Sequence, residues 1–86
     1  MSLPIAFRRE ASTDAEQIRS YLEAQQPGLG TSFLHRLNEL LNRISRMPEI
    51  YNVIWQDVRA ARLKKFMYIA YYRIHADRIE VLGVLH

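Results

Sequence analysis

The sequence predicts an α+β fold of the order β-α-α-β-β-β, in which a helix hairpin packs on one face of a small, mainly antiparallel sheet. Two segments with apolar residues at helical spacing lie together in the first half of the chain, and segments rich in β-branched and aromatic residues lie together in the second half. Grouped helices followed by grouped strands are typical of this class. A chain of 86 residues is long enough for one small domain, which we expect to span residues 1–86.

The first predicted elements are a short strand and a helix. Leu3–Arg8 has the character of a strand, and Pro4, which lacks an amide donor, favours an edge position or the start of a strand. Thr13–Glu16 matches a capping box, in which the Thr hydroxyl and the Glu carboxylate each accept a hydrogen bond from a backbone amide. The sequence therefore predicts a first helix from about Thr13 to Gln26, ended by Pro27-Gly28.

A second helix and an apolar connector follow. This helix is predicted from about Gly30 or Thr31 to Arg46, with one apolar stripe along its length, and it ends at Met47-Pro48. Because only a few residues separate the two helices, they are expected to form an antiparallel hairpin. The connector Pro48–Asp57 contains too many apolar residues for a free linker and is expected to pack against the rest of the chain.

The second half of the chain predicts a strand and then a β-hairpin. Val58–Lys65 is interpreted as a strand with no clean apolar side, whose basic residues reach solvent or a ligand. Phe66–Ile74 and Ile79–His86 are predicted as two strands joined by a hairpin turn of about four residues. Side chains alternate between the two faces of a strand, and both alternating sets are largely apolar here. The hairpin is therefore predicted to lie centrally in the sheet, with both faces needing cover.

The helix hairpin can cover only one face of this sheet, which leaves two interpretations of the other face. A large exposed apolar patch on a small protein usually marks an interaction surface. Alternatively, the segment Pro48–Val58 folds back over the second face and seals it. The sequence favours neither interpretation.

Composition excludes several classes of protein. The chain has no cysteine and no apolar run of the roughly 18–20 residues that a membrane span requires, and its first residues lack the order of a signal peptide. We therefore expect a cytoplasmic protein that does not contact a membrane. His35, His75 and His86 show no metal-ligand spacing, and no glycine-rich loop for a nucleotide is present. Neither a metal nor another cofactor is predicted.

Basic residues are concentrated in one window of the sequence. The formal net charge is only +3, but six of the twelve Lys and Arg residues fall between Arg59 and Arg78, where Asp77 is the only acidic residue. These six residues are Arg59, Arg62, Lys64, Lys65, Arg73 and Arg78. They could hold phosphates or an acidic partner. A solvated edge strand, whose Lys and Arg residues discourage strand addition, is the interpretation that the residues alone favour.

Several motifs, in their order and spacing, resemble those of a known toxin family. They are Asp14-Ala15-Glu16-Gln17-Ile18, Met47-Pro48, Val58-Arg59, Phe66-Met67-Tyr68, Tyr72-Arg73 and Glu80-Val81-Leu82-Gly83-Val84-Leu85-His86. Over nearly its whole length the chain resembles the ParE branch of the RelE/ParE toxins of bacterial type II toxin–antitoxin systems, also called plasmid stabilisation proteins, whose fold is the β-α-α-β-β-β arrangement. It departs from the family pattern at Met67, where Pro is common, and after His86, where a short basic tail is common.

The resemblance implies one of two activities. ParE-like members inhibit DNA gyrase and are not nucleases, whereas RelE-like members cut messenger RNA on the ribosome with basic residues and a terminal aromatic residue or His. Ile69 stands where RelE-like enzymes carry a key Arg, and an aliphatic side chain cannot stabilise a phosphorane-like transition state. His86 is compatible with both branches. We therefore expect a gyrase inhibitor that is not an enzyme, with an mRNA endonuclease or an inactive toxin-like binding module as the alternatives.

The resemblance also implies candidate site residues. For the nuclease alternative they are the basic set Arg59, Arg62, Lys64, Lys65, Arg73 and His86. For contacts with an antitoxin or a target they are Arg59, Arg62, Lys64, Lys65, Met67, Ile69, Tyr71, Arg73, Leu82 and Val84. Cognate antitoxins of this family lay a C-terminal segment over the toxin's sheet and helix hairpin, and an acidic, amphipathic peptide would suit apolar residues rimmed by Arg and Lys. A homodimer, or a hetero-oligomer with the antitoxin, is compatible with this implication.

Overall fold

The computed structural model describes residues 2–86, which form two helices and five strands. The helices are α1 (Arg9–Gln25) and α2 (Leu29–Arg46), and the strands are β1 (Ile5–Phe7), β2 (Val53–Trp55), β3 (Val58–Arg62), β4 (Ile69–Ile74) and β5 (Ile79–Leu85). The sheet order is β1-β5-β4-β3-β2, with β1 parallel to β5 and every other neighbouring pair antiparallel. The predicted α+β class, with a helix hairpin on a mainly antiparallel sheet, is confirmed.

The hairpin of β4 and β5 lies in the centre of the sheet, as its two apolar faces predict. β4 also pairs with β3, and β5 also pairs with β1, so both hairpin strands have a neighbour on each side. The turn His75–Arg78 is closed by a hydrogen bond of 2.8 Å from the His75 amide to the Arg78 carbonyl. β1, which follows Pro4, is the edge strand that this proline predicts.

α1 begins at Arg9 rather than at Thr13, so the predicted capping box is wrong. The N-cap residue makes no side-chain hydrogen bond, and Thr13 lies inside the helix. The first turn is held by packing instead, because Ala11 is completely buried in the core. Asp14 accepts a hydrogen bond of 3.1 Å from the Val84 amide, so its carboxylate connects α1 to β5.

The start of α2 is capped by a carboxylate from α1. Glu23 accepts hydrogen bonds from the Gly28 and Gly30 amides, at 2.9 and 3.1 Å. These bonds hold the pKa of Glu23 below its ordinary value, and the bond from the Gly28 amide is the largest cause. Gly30 allows the two helices to approach closely, since a Cβ atom there would lie 2.6 Å from the Arg19 carbonyl oxygen. The predicted helix hairpin is therefore held by both a cap and a close contact.

The connector contains a strand, β2, that the sequence pattern did not predict. β2 extends the sheet beside the start of β3, and all of its residues are exposed. The strand predicted over Val58–Lys65 is shorter, because the chain turns after β3 and Lys65 adopts a positive φ of 72°. The strand predicted from Phe66 likewise begins later, at Ile69.

The core lies between the helices and one face of the sheet. From the sheet it contains Ala70 and Tyr72 of β4 and Val81 and Val84 of β5, none of them more than 1% exposed. The Tyr72 hydroxyl donates a hydrogen bond of 2.6 Å to the Pro48 carbonyl, and burial raises the pKa of this phenol. This bond ties the connector to the face that carries the helices.

A β-bulge at Leu82 changes which residues of β5 face the core. Gly83 pairs with Tyr71 and Val81 pairs with the next residue of β4, so Leu82 has no partner in that strand. The extra residue shifts the alternation by one, and Val81 and Val84 both face the helices. Val84, predicted as a contact residue together with Leu82, is therefore only 1% exposed.

Candidate interaction surface

The face of the sheet opposite the helices, here called the open face, is not covered by any helix of residues 2–86. The strand register places two rows of side chains on it, Arg62 with Ile69 and Leu85, and Ala60 with Tyr71 and Gly83. Ile69 and Tyr71 are half-buried by their neighbours, whereas Leu85 is 53% exposed. The uncovered apolar face that the sequence offered as one interpretation is present in the structure.

The connector between α2 and β3 does not seal the open face. Arg59 donates hydrogen bonds to the carbonyls of Glu49 and Tyr51, at 3.3 and 2.7 Å. Tyr72, which is in register with Arg59, donates to the carbonyl of Pro48. Both side chains lie on the face that packs against the helices, so they hold the connector on that side. The alternative in which this segment folds back over the second face is wrong.

One end of the open face, here called the apolar end, consists of Met67, Ile69, Tyr71, Leu85 and His86. Met67 is 76% exposed, which is the largest exposure of any large apolar side chain in residues 2–86. A cavity of about 250 Å³ lies at this end and is lined by Arg62, Phe66, Met67, Ile69 and His86. Exposed methionine and leucine side chains at this end form a surface that can adapt to a partner.

A series of aromatic contacts connects the apolar end to the core. Phe33 of α2 is completely buried and contacts Phe66 and Tyr68 edge to face, with ring centroids 5.8 and 5.6 Å apart. The Tyr68 ring contacts the His86 ring in the same manner at 5.5 Å. Aromatic pairs of this geometry add about 0.5–1.5 kcal/mol each beyond their buried area. The position of His86 therefore depends on the packing of Phe33.

The opposite end of the sheet, here called the polar end, consists of Arg8, Asp57, Arg73, His75 and Glu80. The Arg73 Nε atom lies 3.0 Å from Asp57 Oδ1, and the Glu80 carboxylate lies 3.1 Å from Arg8 Nε and 2.9 Å from His75 Nε2. The hydrogen bond from His75 is the largest cause that holds the pKa of Glu80 below its ordinary value of 4.5, while burial opposes the shift. The charged groups of the polar end are thus paired with one another.

The structure does not bring the predicted basic set together. Arg59 is bound to the connector carbonyls, and Arg73 is paired at the polar end. Arg73 is also about 13 Å along β4 from Ile69, at the usual rise of a strand. Arg62 and His86 share the cavity at the apolar end, and the two lysines of the set lie in the turn after β3.

The exposed edge strand β2 was not predicted as a contact surface. Val53, Ile54 and Trp55 are 45, 57 and 63% exposed, and the outer edge of β2 has no neighbouring strand within residues 2–86. An apolar edge strand of this kind can accept an added strand from a partner. The sequence does contain a pattern that indicates β2. A run of β-branched and aromatic residues is followed by the turn Gln56-Asp57, where Gln56 has a φ of 50°.

The fold and the open face define a small α+β protein in which one side of the sheet is left uncovered by residues 2–86. Across the described residues 2–86, no group of three or more His, Asp or Glu side chains is placed to hold a metal ion. In the same part of the chain, every helix is too short or too polar to cross a membrane.

The chain matches the family model described as the ParE toxin of type II toxin–antitoxin system, parDE, over residues 5–86. The match begins at the first residue of β1 and extends through β5. The chain therefore belongs to the ParE family of type II toxin–antitoxin toxins, within the RelE/ParE superfamily. The resemblance predicted from the motifs is confirmed.

Solved structures with the same fold include chains from two toxin–antitoxin systems. A chain of the chromosomal ParDE system from P. aeruginosa superimposes with a TM-score of 0.86 at 15% identity, over 99% of this chain and 96% of that chain. A chain of the RelBE2 complex from Mycobacterium tuberculosis superimposes with a TM-score of 0.69 at 15% identity, over 100% of this chain and 99% of that chain. Similarity at such low identity shows the fold alone. No curated protein sequence gives a significant match.

Proposed function

We propose that this toxin inhibits DNA gyrase and is neutralised by a cognate antitoxin that covers the apolar end. The observation that carries the proposal is the exposure of Met67 and Leu85, at 76 and 53%, on an uncovered sheet face of a ParE-family toxin. Exposed apolar surface of this kind favours binding to another protein. The two structurally similar chains come from a ParDE system and a RelBE2 toxin–antitoxin complex, which supports an antitoxin as one partner.

The chemistry of the apolar end suits an acidic, amphipathic segment of an antitoxin. Apolar side chains of the segment would cover Met67 and Leu85, and full burial of such a side chain contributes about 1.5–3 kcal/mol. Acidic side chains at its margin would face Arg62 and the two lysines after β3. The exposed edge of β2 could also receive an extended part of the same segment as an additional strand.

Two features favour gyrase inhibition over RNA cleavage. Ile69 lies in register with Arg62 and lines the cavity beside His86, so an aliphatic side chain occupies a position where a nuclease would use a charged group. The other basic candidates are spread, since Arg59 holds the connector and Arg73 is paired with an acidic residue at the polar end.

Supercoiling of a relaxed plasmid by gyrase, in the presence of the purified chain, tests the proposal. We expect the wild-type chain to block supercoiling, and Met67→Glu to lose at least about tenfold in inhibitory potency, because the contact would desolvate a charge. Met47→Glu is the matched control, because Met47 is also exposed, at 50%, but lies at the end of α2. Normal supercoiling with the wild-type chain in excess would contradict the proposal.

The antitoxin is best sought as the product of a short neighbouring reading frame, which we expect to encode a DNA-binding protein with an acidic tail. Hydrogen exchange of the complex should show new protection in the Met67–Tyr71 segment and around Leu85. The Met67→Glu variant should bind this protein more weakly than Met47→Glu does. Unchanged exchange at the apolar end in a formed complex would contradict the proposed antitoxin site.

A ribosome-dependent mRNA endonuclease is the second candidate function, because Arg62 and His86 share one cavity. A histidine side chain such as that of His86 can act as a general acid or base, and the Arg62 guanidinium could neutralise a phosphate. Cleavage of mRNA on the ribosome by the wild-type chain, lost in His86→Ala, would support this candidate. Intact mRNA together with inhibited gyrase would exclude it, and no effect in either assay would indicate an inactive binding module.

A further inference from the structure

A second cavity, here called the α2 cleft, lies between α2 and the end of β3 and has a volume of about 380 Å³. The charged residues that line it are Arg36, Glu39, Arg43, Arg46, Arg62 and Lys64. Arg62 also lines the cavity at the apolar end, whereas the α2 residues do not. The cleft is therefore a separate feature that borders the open face at one residue.

The α2 cleft carries an excess of positive charge that the chain does not neutralise. Five cations and one carboxylate give its lining a formal charge of +4, which exceeds the net charge of +3 of the whole chain. Glu39 lies 3.2 Å from Arg36. The other four cations form no ion pair within residues 2–86. Because cations that face one cleft repel one another, a bound anion would relieve an electrostatic cost.

Helix periodicity and tertiary packing together produce this arrangement. Arg36 and Arg43 are seven residues apart, so both lie on one side of α2, and Arg46 follows one turn later. Cations in the last turn of a helix also interact favourably with its dipole, which accounts for Arg43 and Arg46. The dipole does not account for Arg36 in the middle of α2, nor for Arg62 and Lys64, which come from another part of the chain.

The donors in the α2 cleft suit phosphate groups. A guanidinium group presents paired N–H donors that match two phosphate oxygens, and an ammonium group adds a point charge. Asn42 and Tyr51 also line the cleft and contribute an amide and a hydroxyl. The one aliphatic residue of the lining, Leu40, is only 8% exposed, so polar and charged side chains supply most of the exposed lining.

We propose that the α2 cleft binds the phosphodiester backbone of a nucleic acid without reading its base sequence. Contacts with phosphate supply affinity and position, and they carry no sequence information by themselves. This inference goes beyond the proposed function and does not depend on it, because the α2 residues of the cleft lie outside the apolar end. An acidic protein segment is the competing ligand, and the many guanidinium groups and the polar lining favour phosphate.

Fluorescence anisotropy with a short labelled DNA duplex of arbitrary sequence, and with a single-stranded RNA of equal length, tests the proposal. With duplex DNA, three to four phosphate contacts predict a slope of about −3 when the logarithm of the association constant is plotted against the logarithm of the salt concentration. In Arg43→Gln/Arg46→Gln the slope should become shallower by about 1 for each cation removed, and binding at about 0.1 M salt should weaken by about 50- to 100-fold. Thermal unfolding would establish that this variant is folded.

The matched control is Arg9→Gln/Arg78→Gln, which removes the same charge from residues that do not line the α2 cleft. This control should bind within about threefold of the wild-type chain. An equal loss in the control, or no salt-dependent binding by the wild-type chain, would overturn the proposal. Binding of a poly-glutamate peptide in the absence of nucleic-acid binding would overturn it in favour of an acidic protein.

The outcomes separate this inference from the proposed function. Binding to the duplex alone, to the RNA alone or to both would support the shared phosphodiester chemistry and identify its source. Gyrase inhibition without nucleic-acid binding would overturn the cleft proposal alone. Nucleic-acid binding through the cleft without gyrase inhibition would overturn the gyrase proposal alone.

Discussion

The two ends of the open face are built from the same strands but differ in chemistry. At the apolar end, Met67 and Leu85 project apolar surface into solvent beside His86. At the polar end, one strand length away, Arg73 and Glu80 are each bound by groups of opposite charge. The polar end satisfies its own charges, whereas the apolar end leaves apolar surface that no part of residues 2–86 covers.

This contrast indicates where a partner would gain binding free energy. Covering an exposed Met or Leu side chain contributes about 1.5–3 kcal/mol, because apolar area leaves water. Replacing an existing exposed ion pair with a new one contributes about 0–1 kcal/mol, since both arrangements are solvated and screened. A partner that binds the open face should therefore have its strongest contacts near Met67 and only weak ones near Glu80.

The largest expected effect on stability comes from Phe33→Ala, which removes the buried aromatic ring that packs beneath the apolar end. Phe33 is completely buried against Phe66 and Tyr68, so its removal leaves a cavity and should cost about 3–5 kcal/mol of the free energy of unfolding. Urea unfolding measures this loss, and NMR signals of His86 should shift as its aromatic contact loosens. Leu34→Ala is the control, since Leu34 is 37% exposed and its truncation should cost about 1 kcal/mol or less.

A Phe33→Ala variant that unfolds at nearly the wild-type urea concentration would contradict this account. It would mean that Phe66 and Tyr68 hold His86 through their own packing. The apolar end would then be independent of the helix layer.

The sequence predicts much of the fold because its strongest signals are local. The apolar stripe of α2 and the two apolar faces of the β4–β5 hairpin need no knowledge of distant residues. The capping box at Thr13 failed because burial of Ala11 extends α1 by a turn, and tertiary packing overrides a cap. β2 was missed because a short, fully exposed edge strand has no buried side to produce alternation.

The candidate surface is harder to predict because it depends on register and on contacts between distant segments. The bulge at Leu82 reverses the alternation of β5, and the Asp14 carboxylate bonds the Val84 amide, a partner that no local pattern indicates. From the sequence, Arg43 is expected on the solvated face of α2. In the structure it lines the α2 cleft together with Arg62 from β3. The spacing of the helix cations was visible in the sequence, but the strand that faces them was not.

A smaller effect is expected at the polar end from Glu80→Gln. The Glu80 side chain is 19% exposed and accepts bonds from His75 and Arg8, so the variant should lose about 1 kcal/mol of the free energy of unfolding at neutral pH. Because the pKa of Glu80 is lower in the folded state, its stabilisation is present above its ordinary pKa of 4.5 and is lost as the pH falls through the folded value. The difference between wild type and variant should therefore shrink in acid.

Glu49→Gln is the control for Glu80→Gln, because Glu49 is exposed and its side chain forms no ion pair within residues 2–86. It should change stability by less than about 0.5 kcal/mol at any of these pH values. A loss for Glu80→Gln that stays constant down to low pH would show that the amide disturbs packing. The charge of Glu80 would then not be what stabilises the polar end.

The smallest effect is expected from Asp57→Asn, which removes the other ion pair of the polar end. The side chains of Asp57 and Arg73 are 62% and 27% exposed, so solvent and salt screen their interaction. The variant should lose less than about 0.5 kcal/mol at low salt, and the loss should vanish at about 0.5 M salt. A salt-independent loss of about 1 kcal/mol or more would mean that Asp57 fixes the β2–β3 turn through its geometry. In that case the polar end would help to shape the exposed β2 edge, which pairs with the start of β3.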